Sequence, residues 1–294
     1  MCPQPSTPDG AIDVHVHVQP WHLVPPSVRA AFERGNPKFA EIEKNVADPD
    51  RFAAFLDGEG ISVAGLVNYP APDVMGFTAE VNDFVAAYRD RRPDRFLAIG
   101  GVHPPSTPKV AGEMDRLLGK LRLDAIKLHP PHQGFAPNAY LGPLPDLRTV
   151  YAACQEAGVP VVVHTGTSIF PGARSRLGDP LPVDDVAVDF PELRIVLAHG
   201  GRPLWTAAAF FLMRRHPHVW LDVSGIPPKR LLESFPRLEE VADRVLFGSD
   251  WPSPGVPRIS RNVADLAALP LSEETKRKVL RENALRLYPR LAKD

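Results

Sequence analysis

Two hydrophobic rhythms alternate along the chain. Short apolar runs read as buried strands, and the stretches between them, where apolar residues recur every three or four positions, read as helices with one face on a core. The first run is Ala11-Ile12-Asp13-Val14-His15-Val16-His17-Val18, a strand whose alternate residues point to opposite faces. Residues 19–47 then form a long connection, with a helix expected over 26–34. Asp48 supplies a cap and Pro49 a first-turn proline for a helix ending at Gly58, and a strand follows over 62–68.

From there helix and strand succeed one another regularly. Helices over 78–91, 109–121, 144–156, 184–190, 203–215 and 228–242 lead into strands over 95–102, 124–129, 160–164, 193–199, 219–223 and 244–250. A helix over 259–269 ends the series, and a capped terminal helix is expected over 272–280. Eight strand-then-helix units predict an α/β fold with a parallel sheet and right-handed crossovers, closing into a (β/α)8 TIM barrel. A doubly wound open sheet is the alternative. It more often carries a glycine-rich loop after its first strand, which this chain lacks. Residues 1–294 are expected to form one domain with a long loop after strand 1 and a C-terminal helix.

Composition narrows the function by exclusion. Lys and Arg number 34 against 35 Asp and Glu, so the net charge of -1 offers no basic field for nucleic acid or an anionic membrane surface. A small-molecule partner is expected. No stretch reaches the roughly 18 to 20 apolar residues that span a bilayer, and Met1-Cys2-Pro3-Gln4-Pro5 lacks the features of a signal peptide, so the expected location is cytoplasmic. The two cysteines, Cys2 and Cys154, make no disulfide framework, and Cys154 reads as an apolar helix filler. The 34 prolines fall mostly in loops and at helix starts, as in a chain with many ordered connections.

Histidine placement changes the picture more. His15, His17, His103, His129, His164 and His199 stand at the carboxyl ends of expected strands, and His22 and His132 follow directly after one. Only His216 and His218 precede a strand. The carboxyl ends of the strands form the face of a barrel where catalytic groups gather, and core packing gives no such bias. Two imidazoles on one face of strand 1 satisfy each other's burial by sharing a divalent metal. His15 and His17, with His164 across the barrel and Asp250 ending strand 8 beside strand 1, make a ligand set suited to zinc, with manganese or iron as alternatives. Such an ion acidifies a coordinated water, so that hydroxide is available near neutral pH.

His199 is either a fifth ligand or a general acid and base, and the second role is favoured because four ligands are already supplied. Lys127 and His129 share one face of strand 4. Both are expected to contact substrate, with a carboxylated bridge between two metals as the alternative for Lys127. His103, Arg174, Arg176, Arg202 and Trp205 belong to the same rim; His103, Arg174 and Arg202 are expected among the substrate contacts.

These residues resemble the amidohydrolase superfamily, in its amidohydrolase-related branch that includes aminocarboxymuconate semialdehyde decarboxylase and the resorcylate decarboxylases. The resemblance is carried by Asp13-Val14-His15-Val16-His17, Val163-His164-Thr165-Gly166, Leu197-Ala198-His199-Gly200-Gly201 and Phe247-Gly248-Ser249-Asp250-Trp251-Pro252, and extends to the terminal Arg281-Glu282-Asn283-Ala284-Leu285-Arg286-Leu287. It implies a divalent metal on His15, His17, His164 and Asp250, with His199 activating water or polarising substrate and Asp250 able to shuttle protons. It also implies a possible homodimer. The Ile126-Lys127-Leu128-His129-Pro130 stretch looks more like metal-dependent hydrolases of the branch. The leading expectation is therefore hydrolysis at a carbonyl centre of an amide, ester, lactone or β-ketoacyl group. The alternative is non-oxidative decarboxylation of an aromatic or unsaturated acid. A metal-binding protein without catalysis would leave the crowded rim unexplained.

Overall fold

The computed structural model describes residues 10–292. The expectations placed on Cys2 and on the first five residues lie outside them. Eight strands form one sheet in sequential order: β1 Ala11–Val16, β2 Ile61–Val67, β3 Phe96–Gly101, β4 Ala125–Leu128, β5 Val161–His164, β6 Ile195–Ala198, β7 Val219–Asp222 and β8 Val245–Leu246. Each neighbouring pair is parallel. The ring closes between β8 and β1, where Val14 N donates to Phe247 O (3.0 Å), Asp250 N to His15 O (2.9 Å) and His17 N to Trp251 O (2.8 Å). The (β/α)8 barrel read from the alternation is the fold.

Every residue of β1 is buried, as expected of a parallel strand covered on both faces. Asp13 serves the closure, since its Oδ1 accepts from Ser249 N at 2.9 Å and from His15 N at 3.1 Å. The caps hold as read: Asp48 accepts from Arg51 N, and Ser272 from Thr275 N. Cys154 is fully buried and pushed up in pKa by that burial, in keeping with an inert filler. Among the described residues no helix is long and apolar enough to cross a membrane.

Several elements differ from expectation. The last strand is two residues long rather than seven, because Phe247 N turns away to Val279 O and Asp250 takes a left-handed φ of 65°. The helix expected over 228–242 is broken into Pro228–Arg230, Leu231–Ser234 and Leu238–Arg244. Pro236 is the cause, since it has no N–H to donate and drives Phe235 out of helical geometry (φ -133°, ψ 72°). The terminal helix runs past 280 as Glu273–Arg277, a π turn over Lys278–Glu282, and Asn283–Leu287.

The long connection after β1 holds two helices, Pro26–Gly35 and Phe39–Val46, where one was expected. Trp21 packs edge-on against Phe32 (4.9 Å) and Phe39 (5.0 Å), giving this segment a small core of its own. It is tied to the far side of the rim by Asn36 Nδ2, which donates to Pro252 O at 2.9 Å. Gly35 permits that approach, because a β-carbon there would stand 2.5 Å from Pro254 Cγ.

Candidate active site

The carboxyl ends of the strands open into a cavity of about 1460 Å³, roofed in part by Phe32 and Asn36 of the long connection. Its floor is the histidine cluster. His15 and His17 arrive from β1, and one ligating atom each from His15, His17 and Asp250 lies within 4.8 Å of the others. His17 Nε2 is 3.1 Å and His15 Nε2 3.8 Å from Asp250 Oδ1. His164, ending β5, presents a buried Nε2 with no hydrogen-bond partner, and His15 Nε2 is equally unpartnered. His199 sits between them, its ring 4.8 Å from that of His15 and 4.6 Å from that of His164. Orphaned imidazole nitrogens facing a carboxylate are costly by themselves and become favourable once shared by a cation. The donors of His15, His17 and Asp250 fit a divalent metal, and His164 is not among the residues whose ligating atoms lie within that distance.

Backbone conformation serves the same end. His199 and Asp250 both occupy the left-handed region (φ 65° each), which costs a residue with a β-carbon about 1–2 kcal/mol and turns both side chains into the cavity. Burial disfavours ionisation of Asp250, but the hydrogen bond and charge of His17, with His15 and Arg202, outweigh it and hold the carboxyl below its ordinary range. Burial lowers the pKa of His15, His164 and His199, so their rings are neutral and available as ligands or bases.

Lys127 rises from β4 with its side chain buried and Nζ without any hydrogen-bond partner. Burial lowers it to about 8, against the attraction of Asp222 and Asp250. His129 stacks between His132 (3.6 Å) and His164 (3.8 Å), with Tyr69 at 4.9 Å, so these rings form one aromatic stack at the cavity. His132 is held at both nitrogens, Nδ1 3.1 Å from Tyr69 OH and Nε2 2.7 Å from Ser168 Oγ. Arg202 lines the cavity with Nη2 3.6 Å from Asp250 Oδ2.

The structure does not bring two of the expected substrate contacts to the cavity. His103 lies outside it, with Nδ1 on Ser106 Oγ (2.8 Å) and Nε2 on Gln133 O (3.2 Å), because β3 ends before it and the chain turns outward. Arg174 is exposed on the loop after β5, where its backbone N donates to Pro131 O. Arg176 is likewise exposed, and Trp205 stands outside the lining.

Tyr69, which lines the cavity, was not singled out from the sequence, nor were two residues beneath the histidine cluster. Asp222, the last residue of β7, has Oδ2 2.5 Å from His15 Nδ1, and Ser224 Oγ donates to the same oxygen at 2.8 Å. A carboxylate at a strand's carboxyl end was the available signal. Gly248 leaves them room: a β-carbon there would collide with Asp222 Oδ1 and stand 2.9 Å from the β-carbons of His15 and Ser224.

A parallel barrel whose rim gathers such donors around a cavity defines a metal-dependent barrel enzyme. The chain belongs to the Amidohydrolase family, which it matches over residues 12–290. It is 26% identical to the 6-methylsalicylic acid decarboxylase of Penicillium expansum, over 95% of this chain and 96% of that one. It is 31% identical to the 2-pyrone-4,6-dicarbaxylate hydrolase of Comamonas testosteroni, over 40% of this chain and 51% of the other. Among solved structures, a dihydroxybenzoic acid decarboxylase from Polaromonas sp. JS666 with bound manganese and 2-nitroresorcinol superposes with a TM-score of 0.67. That match has 19% identity and covers 96% of this chain and 97% of that one.

Proposed function

We propose that this enzyme is a metal-dependent, non-oxidative decarboxylase of a small hydroxylated aromatic acid. The observation that carries the reading is the unpartnered, buried Lys127 ammonium in the same cavity as the His15, His17 and Asp250 donors and the aromatic stack of Tyr69, His129 and His132. A buried cation without a partner calls for an anion, and the exposed edges of the aromatic stack suit a small ring. The comparisons support decarboxylation over the hydrolysis expected from the sequence. The relative matched across nearly both chains is a decarboxylase, whereas the hydrolase relative matches less than half of this chain.

A divalent ion on His15, His17, His164 and Asp250, with manganese favoured over the expected zinc by the solved neighbour, would supply a Lewis acid for the carboxylate and adjacent hydroxyl oxygens of the substrate. Lys127 and Arg202 bind the carboxylate, and Tyr69 and His129 orient the ring. His199, neutral at rest, takes the proton of the substrate hydroxyl and returns it to the ring carbon that bears the carboxyl group. The bond from that carbon to the carboxyl carbon then breaks, its electron pair restores the aromatic ring as a phenolate, CO2 leaves, and the phenolate takes a proton from water.

The test is incubation of manganese-loaded protein with carboxyl-13C-labelled 6-methylsalicylate and dihydroxybenzoates. Labelled CO2 released in equal amount with the phenol is the expected result. Inertness toward these acids together with turnover of a lactone would replace the reading with hydrolysis.

A further inference from the structure

Ser224 stands between the two histidines on which the chemistry turns. Its Oγ is 3.2 Å from His15 Nδ1 and 3.0 Å from His199 Nδ1, and its carbonyl oxygen is also 3.0 Å from His199 Nδ1. We propose that Asp222 and Ser224 form a single hydrogen-bonded node that locks His15 and His199 into the same tautomer, so that both present an unprotonated Nε2 to the cavity.

The assignment follows from proton counting. A carbonyl oxygen only accepts, so the nitrogen of His199 that faces Ser224 O must carry the hydrogen. The single hydroxyl hydrogen of Ser224 goes to Asp222 Oδ2 at 2.8 Å, which leaves its lone pairs toward His199. Asp222 Oδ1 accepts Ser224 N–H at 2.8 Å, so this carboxylate is oriented from both sides before it receives His15 Nδ1–H at 2.5 Å. With Nδ1 protonated in both neutral rings, Nε2 is left free in both. The unpartnered Nε2 of His15 agrees with this. Asp222 and Ser224 are fully buried, and the absence of a side chain at Gly248 keeps the node compact.

The two members of the node have separable duties. Asp222 is a positioning residue for the metal ligand His15, and Ser224 is a positioning residue for His199. Because the node acts through tautomers, it holds whether the bond broken is carbon–carbon or carbon–oxygen. Failure of the decarboxylation assay therefore leaves it standing, and failure of the node leaves that assay untouched.

The first test is 15N NMR of the metal-free wild type labelled at histidine, with His15 and His199 assigned by single substitution. Both rings are expected as the Nδ1–H tautomer; an Nε2–H signature on either overturns the proposal. The second is Mn2+ affinity of Asp222→Asn and Ser224→Ala by calorimetry, beside thermal unfolding of the metal-free proteins. Asp222→Asn should bind about 10- to 100-fold more weakly. Ser224→Ala removes the hydroxyl but keeps the carbonyl that accepts His199 Nδ1–H, so it should bind close to wild type while kcat falls only several-fold and KM holds. Wild-type affinity in Asp222→Asn, or equal loss of affinity in both variants, overturns the division of duties. Should a variant not fold, the wild-type NMR result decides alone.

Discussion

His17 and Asp250 meet across the seam of the barrel, Nε2 3.1 Å from Oδ1, although 232 residues separate them in the chain. One comes just after the first strand and the other from the irregular end of the last, so barrel closure itself brings these two candidate ligands together. Asp250→Ala removes the carboxylate and leaves His17 without that partner. Elemental analysis should find about one divalent ion per chain in the wild type and loss of most of it in the variant, as expected when one ligand of four is lost. Chelation of the wild type should lower its Tm, because the ion binds only the folded state.

Lys127 gives the pH dependence. The fold lowers its pKa from 10.5 to about 8, so between those values the unfolded chain binds the extra proton and stability rises with pH. Below about 8 both states carry the proton, and the burial penalty is present in full. Lys127→Met should therefore show a flatter stability profile between those limits and a higher Tm at neutral pH, by urea and thermal unfolding across pH. Binding of an anionic acid needs the protonated form, so wild-type KM should climb above about pH 8. Above that point the climb should approach about tenfold per pH unit. In Lys127→Gln it should already be high and flat.

His199→Asn keeps a hydrogen-bonding group near Ser224 but removes the basic Nε2. Metal content should stay at the wild-type level while kcat falls by about 10²- to 10⁴-fold. Undiminished turnover would end the assignment of His199 as the proton carrier.

His103 offers the contrasting case. Its two nitrogens are engaged by Ser106 and Gln133 outside the cavity. His103→Ala should cost about 1–3 kcal/mol of stability through the unpaired partners it leaves. Steady-state kinetics should show KM and kcat near wild type.

The sequence determined the barrel and singled out the histidines that the fold gathers at one rim. Both are written in local terms: a period of two against a period of three to four, repeated eight times, and histidines at the ends of strands. His15, His17, His164, His199, Lys127 and Arg202 could be chosen because a residue's place at the carboxyl end of a strand fixes which rim it joins. What lies beyond that rim depends on how loops turn and which atoms face each other, and only the tertiary structure decided it. His103 and Arg174 follow strands as the ligands do, yet the chain after β3 and β5 carries them away. Asp222 and Ser224 lie about 200 positions from His15, and their value comes from a 2.5 Å contact across the barrel and the bare α-carbon of Gly248, neither of which has a local pattern.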